Sequence, residues 1–315
     1  MQESVPTPKH IVHLASGAKR MQQFVAMMVV APPLLGTILA IVLAIRNGIG
    51  IVEIVTFGLM YVICMLGITI GFHRYFAHKS FETSRPFSMV LAAIGSMAAQ
   101  GPLLFWVSTH RSHHAYSDRV GDPHSPNLHG HGVAGLFRGW WHAHIGWMFS
   151  GSIADWSHFA RDLMRDRGLF RINQHYFYWV LLGLLIPTSL GGLIGQSLNS
   201  AFLGFLWGGL VRICLVNQAS WCVGSVCHMF GSRPFATDDR SANNHLVAVL
   251  AFGEGLQNNH HAFPSSYAHR VHWWEPDLSA TVLLLLRAMG LVWDLKIPSK
   301  RVVQELRIQK NDCPT

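Results

Sequence analysis

Four apolar runs, each about 20 residues long, constrain the fold of this chain more than any other feature of its sequence. They cover residues 24–45, 49–71, 176–195 and 201–223. A helix of 22 residues is roughly 33 Å long, which is enough to cross the hydrocarbon core of a bilayer. Half of all residues are hydrophobic and only 13% are charged, compared with about 25% in soluble domains. The sequence therefore predicts an all-α integral membrane protein with four transmembrane helices.

The positive charges of the chain are distributed unevenly around these spans. Of 24 Lys and Arg residues, only Arg46 falls in a predicted outer turn and only Arg212 lies inside a span. Because positive residues are enriched in cytoplasmic loops, the side that carries the others is predicted to be cytoplasmic. We expect a multi-pass protein of a bacterial inner membrane, with both termini in the cytoplasm.

The remaining sequence divides into regions that we expect to form one domain over residues 1–315. A cytosolic leader (1–23) precedes the first two spans, which lie within 24–71. A first cap region (72–175), the third and fourth spans (within 176–223), and a second cap region with a tail (224–315) follow. An apolar piece at 88–107 is broken by Gln100-Gly101-Pro102, which favours an interfacial or re-entrant segment. The two cap regions are predicted to build a helical cap at the cytosolic face.

Histidines in the cap regions form the strongest functional pattern. The chain has 20 histidines and only 16 acidic residues. In 110–114 three histidines follow at i, i+3 and i+4, so a helix would present them on one face. Neutral imidazoles grouped in this way are suitable metal ligands. Two similar clusters and one histidine after the fourth span complete a set of eight candidate ligands: His73, His78, His110, His113, His114, His228, His260 and His261. Eight imidazoles exceed the needs of one ion, so the set predicts a dimetal centre.

These motifs resemble those of the membrane fatty acyl desaturases, especially the acyl-CoA delta-9 (stearoyl-CoA) type. The resemblance covers about 24–299 and rests on His-x4-His at 73–78, His-x2-His-His at 110–114 and His260-His261. Three flanking motifs match as well: Gly121-Asp122-Pro123-His124-Ser125-Pro126, Phe252-Gly253-Glu254-Gly255 and His228-Met229-Phe230-Gly231.

The resemblance implies a diiron enzyme that uses O2 to introduce a cis double bond, at the delta-9 position, into an acyl-CoA chain. The implied cofactor is a pair of iron ions (Fe2+/Fe3+), which zinc can replace in purified protein. The implied partners are a fatty acyl thioester, membrane lipid and a separate electron donor of the ferredoxin, rubredoxin or cytochrome b5 type. No nucleic-acid partner is expected, and no catalytic residue beyond the metal ligands.

Two positions depart from the family pattern and keep alternatives open. Gln257 stands where the third box usually begins with histidine, and its amide oxygen could bind a metal weakly or hold a water. Gly224 stands where the family commonly has asparagine. Both changes would leave one iron with fewer protein ligands, so hydroxylation, acetylene formation and an acyl-carrier-protein substrate remain alternatives. A histidine-rich metal transporter or sensor is the alternative from another class. It is disfavoured because the spans offer an ion only Arg212 and a peripheral Glu53.

Further positions are expected around the metal centre. On the second span, a stripe of residues at i+4 spacing leads to His73, and with Trp106 we expect it to line an acyl tunnel: Phe57, Tyr61, Met65 and Thr69. Ordinary helix packing would explain the same stripe equally well. We expect four further side chains to hydrogen-bond to ligand histidines: Asp118, Asp122, His124 and His144. Arg74, Lys79, Arg111 and Arg119 could contact the substrate headgroup, or Arg74 and Arg111 could pair with Asp118 or Asp122.

Overall fold

The computed structural model describes residues 8–308 of the chain, and these residues are predominantly helical. In chain order, the helices are α1 (Ser16–Asn47), α2 (Ile51–Ala77), α3 (Arg85–Met97), α4 (Leu103–Tyr116), α5 (Gly132–His144), α6 (Trp156–Phe159), α7 (Arg161–Met164), α8 (Arg167–Gln174), α9 (Tyr176–Gly195), α10 (Leu198–His228), α11 (His245–Leu250), α12 (Gln257–Ala262), α13 (Leu278–Ala288) and α14 (Lys300–Leu306). The strands are β1 (Ile11–His13), β2 (Glu82–Thr83), β3 (Ser152–Ala154) and β4 (Val292–Trp293), and β1 pairs with β3 and β2 with β4, both antiparallel. The predicted cytosolic leader and tail extend into residues 1–7 and 309–315, which lie outside the described range.

Four of the described helices, α1, α2, α9 and α10, are long and apolar enough to cross a membrane. The helix α10 packs against each of the other three, and α9 and α10 form an antiparallel hairpin across a short turn. Large apolar side chains on α1 and α9 point away from the protein, as expected for helices that face lipid. The predicted all-α fold with four membrane helices is therefore confirmed.

The helices extend further than the apolar runs of the sequence. Helix α1 begins at Ser16 rather than 24, α2 continues to Ala77 rather than 71, and α10 continues to His228 rather than 223. The extra turns of α2 and α10 carry polar residues that face the protein interior, so hydropathy alone ends these helices too early. His73 consequently belongs to the membrane helix α2 itself and not to a separate cap region.

The apolar piece at 88–107 forms parts of two helices, α3 and α4, separated by a sharp break at residues 98–102. Ala99 and Gly101 both adopt positive φ angles, of 62° and 102°, and Pro102 precedes the first turn of α4. The α4 turn is anchored because Leu104 N donates a hydrogen bond to Asn173 Oδ1 at 2.9 Å. This break aims α4, and the histidines that it carries, towards the ends of α2 and α10.

Arg212 is fully buried inside α10, although it lies in a membrane-spanning segment. Its guanidinium donates hydrogen bonds to the carbonyl oxygens of Gly208, Met97 and Gly183 at 3.1, 2.8 and 2.8 Å. The Gly183 oxygen has no helical donor because the residue four positions later is Pro187, which lacks an N–H. Arg212 therefore joins α10 to α3 and α9 by satisfying backbone carbonyls in the bilayer core.

Candidate metal centre

The structure brings all eight candidate histidines together at one end of the bundle of membrane helices. They form two neighbouring groups whose nitrogen atoms lie within 4.8 Å of one another in each group. The five-histidine cluster consists of His73, His78, His110, His114 and His260, and the three-histidine cluster consists of His113, His228 and His261. The clusters adjoin, since the rings of His114 and His261 stack with centroids 4.4 Å apart.

Helical geometry distributes the histidines between the two clusters. On α4, His110 and His114 are four residues apart and enter the five-histidine cluster, whereas His113 is turned towards the other. On α12 the adjacent residues His260 and His261 diverge by about 100° around the helix axis, so each joins a different cluster. A single short helix thus supplies one histidine to each cluster.

The last part of α2, Gly67–Ala77, is wound as a π-helix. His78 N donates to His73 O at 3.1 Å, a bond between residues five positions apart. Such winding brings His73 and His78 onto one side, whereas five residues of α-helix would turn the second ring about 140° away. The His-x4-His spacing therefore suits the local helix type that the structure contains.

The nitrogen atoms that face one another are too close for an array of charged imidazoles. The distance between Nε2 atoms is 3.1 Å for His73 and His260, 2.7 Å for His78 and His110, and 2.9 Å for His114 and His260. In the three-histidine cluster the buried Nε2 of His113 has no hydrogen-bond partner among the described residues. Converging lone pairs and an unpartnered buried nitrogen fit a pair of metal ions.

Burial favours the neutral form of five of these imidazoles, which is the form that binds a metal. It lowers the pKa of His78, His110, His114 and His260 well below the usual 6.5, and the neighbouring imidazoles add to the effect. Burial also lowers the pKa of His261 to about 4, although Asp239 acts in the opposite direction. At neutral pH these side chains therefore present lone pairs rather than charges: His78, His110, His114, His260 and His261.

Carboxylates lie behind the ligand histidines, each facing an Nδ1 atom. Asp122 is 3.0 Å from Nδ1 of His113, Asp118 is 2.9 Å from that of His228, and Asp239 is 2.5 Å from that of His261. In the five-histidine cluster, Glu254 contacts Nδ1 of His73. A carboxylate at Nδ1 fixes the ring and directs Nε2 towards a metal.

In each of these pairs the histidine stabilises the ionised form of the carboxylate. Burial would raise the pKa of Asp122, but the His113 imidazole outweighs it and lowers the pKa to about 2. The pKa values of Asp118 and Asp239 are likewise lowered against burial, by hydrogen bonds to His228 and His261. All three carboxylates are therefore ionised at neutral pH and can compensate the positive charge of bound metal.

Of the two histidines expected beside the ligands, His124 lies there and His144 does not. The His124 ring stacks on His113, with centroids 4.4 Å apart and an angle of 28° between the planes. The His144 nitrogens instead face Ser225 Oγ and Gln218 Oε1, both at 2.9 Å, because α5 packs along α10. The expectation for His144 is thus corrected: it joins two helices and contacts none of the eight ligands.

Gln257 faces the three-histidine cluster from the first turn of α12. Its Nε2 lies 2.9 Å from Nε2 of His261 and 3.4 Å from Nε2 of His228, while its buried Oε1 has no hydrogen-bond partner within residues 8–308. Amide orientation is assigned from the hydrogen-bond network, and a flip would turn Oε1 towards the cluster. The amide oxygen is then available to a metal ion or to a water.

Three residues of the site have no counterpart in the expectations from sequence: Asp239, Glu254 and His269. His269 is buried with its ring 4.5 Å from that of His260 and 5.2 Å from that of His73. Glu254 could have been identified as a site residue, because it is the acidic residue of the otherwise apolar Phe252-Gly253-Glu254-Gly255 motif. Asp239 and His269 lie in loops without periodicity, so nothing local distinguished them.

An apolar cavity leads to the metal centre between α1, α4 and α10. Its walls include side chains from α1, from α4 and from the 3-10 turn at Gly146–Phe149: Met21, Val25, Val29, Phe105, Trp106, Trp147 and Met148. His73, His110 and His113 also line it. Trp106 forms part of the floor, stacked on His110 with centroids 5.2 Å apart.

The other four residues of the expected tunnel do not line this cavity, which corrects their assignment. Met65 and Thr69 are fully buried in the core, where Thr69 Oγ1 is 2.7 Å from Ser279 Oγ. Tyr61 donates a hydrogen bond to Leu250 O at 2.8 Å, and Phe57 packs on Trp207. The stripe on α2 therefore packs against α13 and other elements, as ordinary helix packing requires.

The basic residues considered for the headgroup are largely engaged within the protein. Arg74 is buried between Asp277 and Glu254, at 3.0 and 3.3 Å. Lys79 and Arg111 both pair with Asp162, at 2.9 and 2.8 Å. Arg74 and Arg111 therefore pair with carboxylates other than the expected Asp118 and Asp122. Of the four basic residues, Arg119 is the one without a carboxylate partner among the described residues.

Comparisons with known proteins agree with this geometry. Residues 51–283 match the family model described as fatty acid desaturase. A hex-5-enoyl-[acyl-carrier protein] acetylenase of Moorena producens is 45% identical over 278 residues, covering 88% of this chain and 87% of the relative. An sn-1 stearoyl-lipid 9-desaturase of Anabaena variabilis is 39% identical, covering 75% and 80%. An acyl-CoA C20 Delta5-desaturase of Anemone leveillei is 37% identical, covering 76% and 73%.

These relatives share one chemistry, the oxidation of an acyl chain, although their names give different carriers and positions. The matched region contains the four helices that carry the eight histidines or end beside them: α2, α4, α10 and α12. The chain is therefore an oxidoreductase, and the alternative of a metal transporter or sensor is rejected. The chain belongs to the fatty acid desaturase family.

Proposed function

We propose that this protein is an oxygen-dependent diiron desaturase that introduces a cis double bond into a fatty acyl thioester. The observation that carries the proposal is the apolar cavity that three of the candidate ligand histidines, His73, His110 and His113, help to line. The apolar walls of such a cavity are suited to an acyl chain. The chain, straight or bent, would extend along the cavity to the histidine clusters. The eight histidines are proposed as the metal ligands, with Gln257 as a ligand or water-binding group.

The chemistry follows from the bond that is broken. An unactivated methylene has no acidic proton, so general acid–base groups cannot begin the reaction. When bound, a pair of iron ions supplies, with O2 and external electrons, an oxidant strong enough to remove hydrogen from such a carbon. The task of the chain is to hold one methylene in place and to keep water away.

Particular residues are suited to that task. Trp106, held by a hydrogen bond from its Nε1 to Gln100 Oε1 at 3.1 Å, fixes the floor of the cavity beside His110. Asp118, Asp122, Asp239 and Glu254 orient the ligand rings, as described above. Apolar side chains of α1, Met21, Val25 and Val29, form part of the cavity wall and would contact the acyl chain.

The carrier and the double-bond position are the finer parts of the proposal. We propose an acyl-CoA and the delta-9 position, as the family resemblance implies. An acyl-carrier-protein substrate, with oxidation continued to an acetylene, is a second candidate. It is favoured by the 45% identity to a relative named as an acetylenase acting on such a substrate.

The membrane orientation is proposed with both termini in the cytoplasm of a bacterium and the metal centre at the cytoplasmic face. The concentration of Lys and Arg outside the spans supports it. Electrons would come from a separate protein of the ferredoxin, rubredoxin or cytochrome b5 type, which can reach the centre from that face.

Expression in a bacterial host that lacks its own desaturase tests the reaction. We expect cells that express the protein to contain unsaturated fatty acids, and cells that express the His114→Ala variant to contain only saturated ones. Assays with matched acyl-CoA and acyl-carrier-protein substrates then distinguish the two carriers. Saturated lipids alone, with iron and reductant supplied, would contradict the proposed function.

A further inference from the structure

Gly224 leaves a space on α10 beside the three-histidine cluster. The residue lines the acyl cavity together with His113 and Gln257. A Cβ atom placed on Gly224 would lie 3.1 Å from Nδ1 and 3.4 Å from Cε1 of His124. The imidazole of His124 therefore occupies the position that a side chain at residue 224 would need.

His124 reaches this position with an unused polar atom. Its Nδ1 is buried and has no hydrogen-bond partner among the described residues, and its nearest carboxylate oxygen, on Asp122, is 4.0 Å away. Asp122 is already engaged by Nδ1 of His113 at 3.0 Å. Leaving a buried polar atom unpaired costs about 1–3 kcal/mol, so the site favours a small polar partner at Nδ1.

The imidazole of His124 is suited to bind such a partner. A neutral imidazole can either donate or accept one hydrogen bond at Nδ1, depending on its tautomer. The same ring stacks on His113, which fixes its plane relative to the three-histidine cluster.

We propose that His124 positions a water molecule that completes the ligand set of the metal ion at the three-histidine cluster. The inference rests on the proposed function, because it requires that cluster to hold a metal ion. Three imidazoles and one amide supply fewer protein donors than the five imidazoles of the neighbouring cluster. His124 is a polar side chain that lines the cavity beside Gly224, and its ring fills the space that a side chain at 224 would need.

Metal affinity tests this inference without any need for turnover. Purified wild-type protein and variants are stripped of metal and titrated with Zn2+ against a chelating fluorophore, which gives the number and affinity of the ions. We expect two ions for each wild-type chain. In His124→Ala, we expect one of the two affinities to fall roughly 10- to 100-fold, the usual effect of losing a group that orients a metal ligand.

Two further variants separate a local role from a general effect on the loop. His142→Ala is the matched control, because His142 Nε2 lies 3.2 Å from the Pro123 carbonyl of the same loop but does not line the cavity. We expect this variant to keep both affinities. In the double variant His124→Ala, Gly224→Asn the smaller residue at 124 makes room for the amide, and we expect it to recover most of the lost affinity.

The possible outcomes distinguish this inference from the proposed function. Unchanged affinities in His124→Ala would overturn the inference, as would an equal loss in His142→Ala or a double variant that stays as weak as His124→Ala. Wild-type protein that binds no ion at all would contradict the proposed diiron function itself.

Discussion

At the residue scale, Asp118 shows how one buried carboxylate can organise a site assembled from distant segments. It accepts a hydrogen bond from Nδ1 of His228, and others from Ser125 Oγ at 2.6 Å and Asn127 Nδ2 at 2.8 Å. The backbone N–H of Arg240 also donates to it, at 2.8 Å. The end of α10, the loop of the first cap region and the loop of the second are thereby held around one ligand histidine.

Asp162 provides a prediction at this scale that lies outside the metal centre. Burial would raise its pKa, but hydrogen bonds from Arg111 and Lys79 lower it from 3.8 to about 2. The charged carboxylate therefore adds stability above pH 4, and this contribution is lost as the pH falls towards 2. Since the group is partly exposed, we expect Asp162→Asn to cost about 1 kcal/mol at pH 7.

Thermal unfolding in detergent at several pH values checks this prediction. The difference in melting temperature between wild type and Asp162→Asn should be a few degrees at pH 7 and should shrink below pH 4. Glu305→Gln serves as the control, because Glu305 is exposed and pairs only with Arg301 on the same helix. A difference that grows as the pH falls would contradict the assignment.

The residues that could be found from the sequence are those whose partners are local. The histidines of 110–114 share a helix, so their spacing alone indicated a common face. Asp239 was not found, because its partner His261 is 22 positions away and only the folded second cap region joins them. His269 was not found for the same reason, since its neighbours His73 and His260 belong to other elements.

At the scale of elements, hydropathy located the membrane helices but did not give their ends. The last turns of α2 contain His73 and Arg74, which a hydropathy pattern assigns to water although both are buried. The stripe of residues on α2 was equally ambiguous, because i+4 spacing identifies a face but not the element that covers it. The π-helical winding of Gly67–Ala77 could not be predicted from spacing that assumes an α-helix.

Arg212 gives a prediction at the element scale. In Arg212→Leu the carbonyl oxygens of Met97 and Gly183 lose their donors inside the bilayer. Each unsatisfied group costs about 1–3 kcal/mol, so we expect the free energy of unfolding to fall by at least about 2 kcal/mol. Arg212→Lys, which keeps the charge but has fewer donors, should lose less.

Thermal stability in detergent and the yield of monodisperse protein measure the effect. Arg46→Leu is a suitable control because Arg46 is exposed at the end of α1. We expect that control to unfold like wild type. If Arg212→Leu is as stable as wild type, the carbonyl oxygens of Met97 and Gly183 have other donors and the prediction is wrong.

At the scale of the whole molecule, an even number of spans is what allows the histidines to meet. His73 ends the second span and His228 the fourth, so both lie at the same face as α4 and α12. With three or five spans, the two cap regions would lie on opposite sides of the bilayer. The number of spans and the common face of the candidate ligands could therefore be inferred together from the sequence.

Membrane orientation can be checked with introduced cysteines and a thiol reagent that does not cross membranes. Asn47→Cys lies at the exposed last residue of α1 and should react in intact cells, above the background of wild-type protein. Arg301→Cys lies on the exposed α14 and should react only after permeabilisation. The reverse pattern would place the metal centre on the outer side and contradict the proposed orientation.

The position of α12 in the chain determines when the centre can form during biosynthesis. All four membrane helices end by His228, whereas His260 and His261 lie further along and contribute to separate clusters. A nascent chain therefore inserts its helices before either cluster has its full set of imidazoles. Metal loading of the proposed centre must then follow membrane insertion, and a prematurely terminated polypeptide that lacks α12 would remain in the bilayer without His260 and His261.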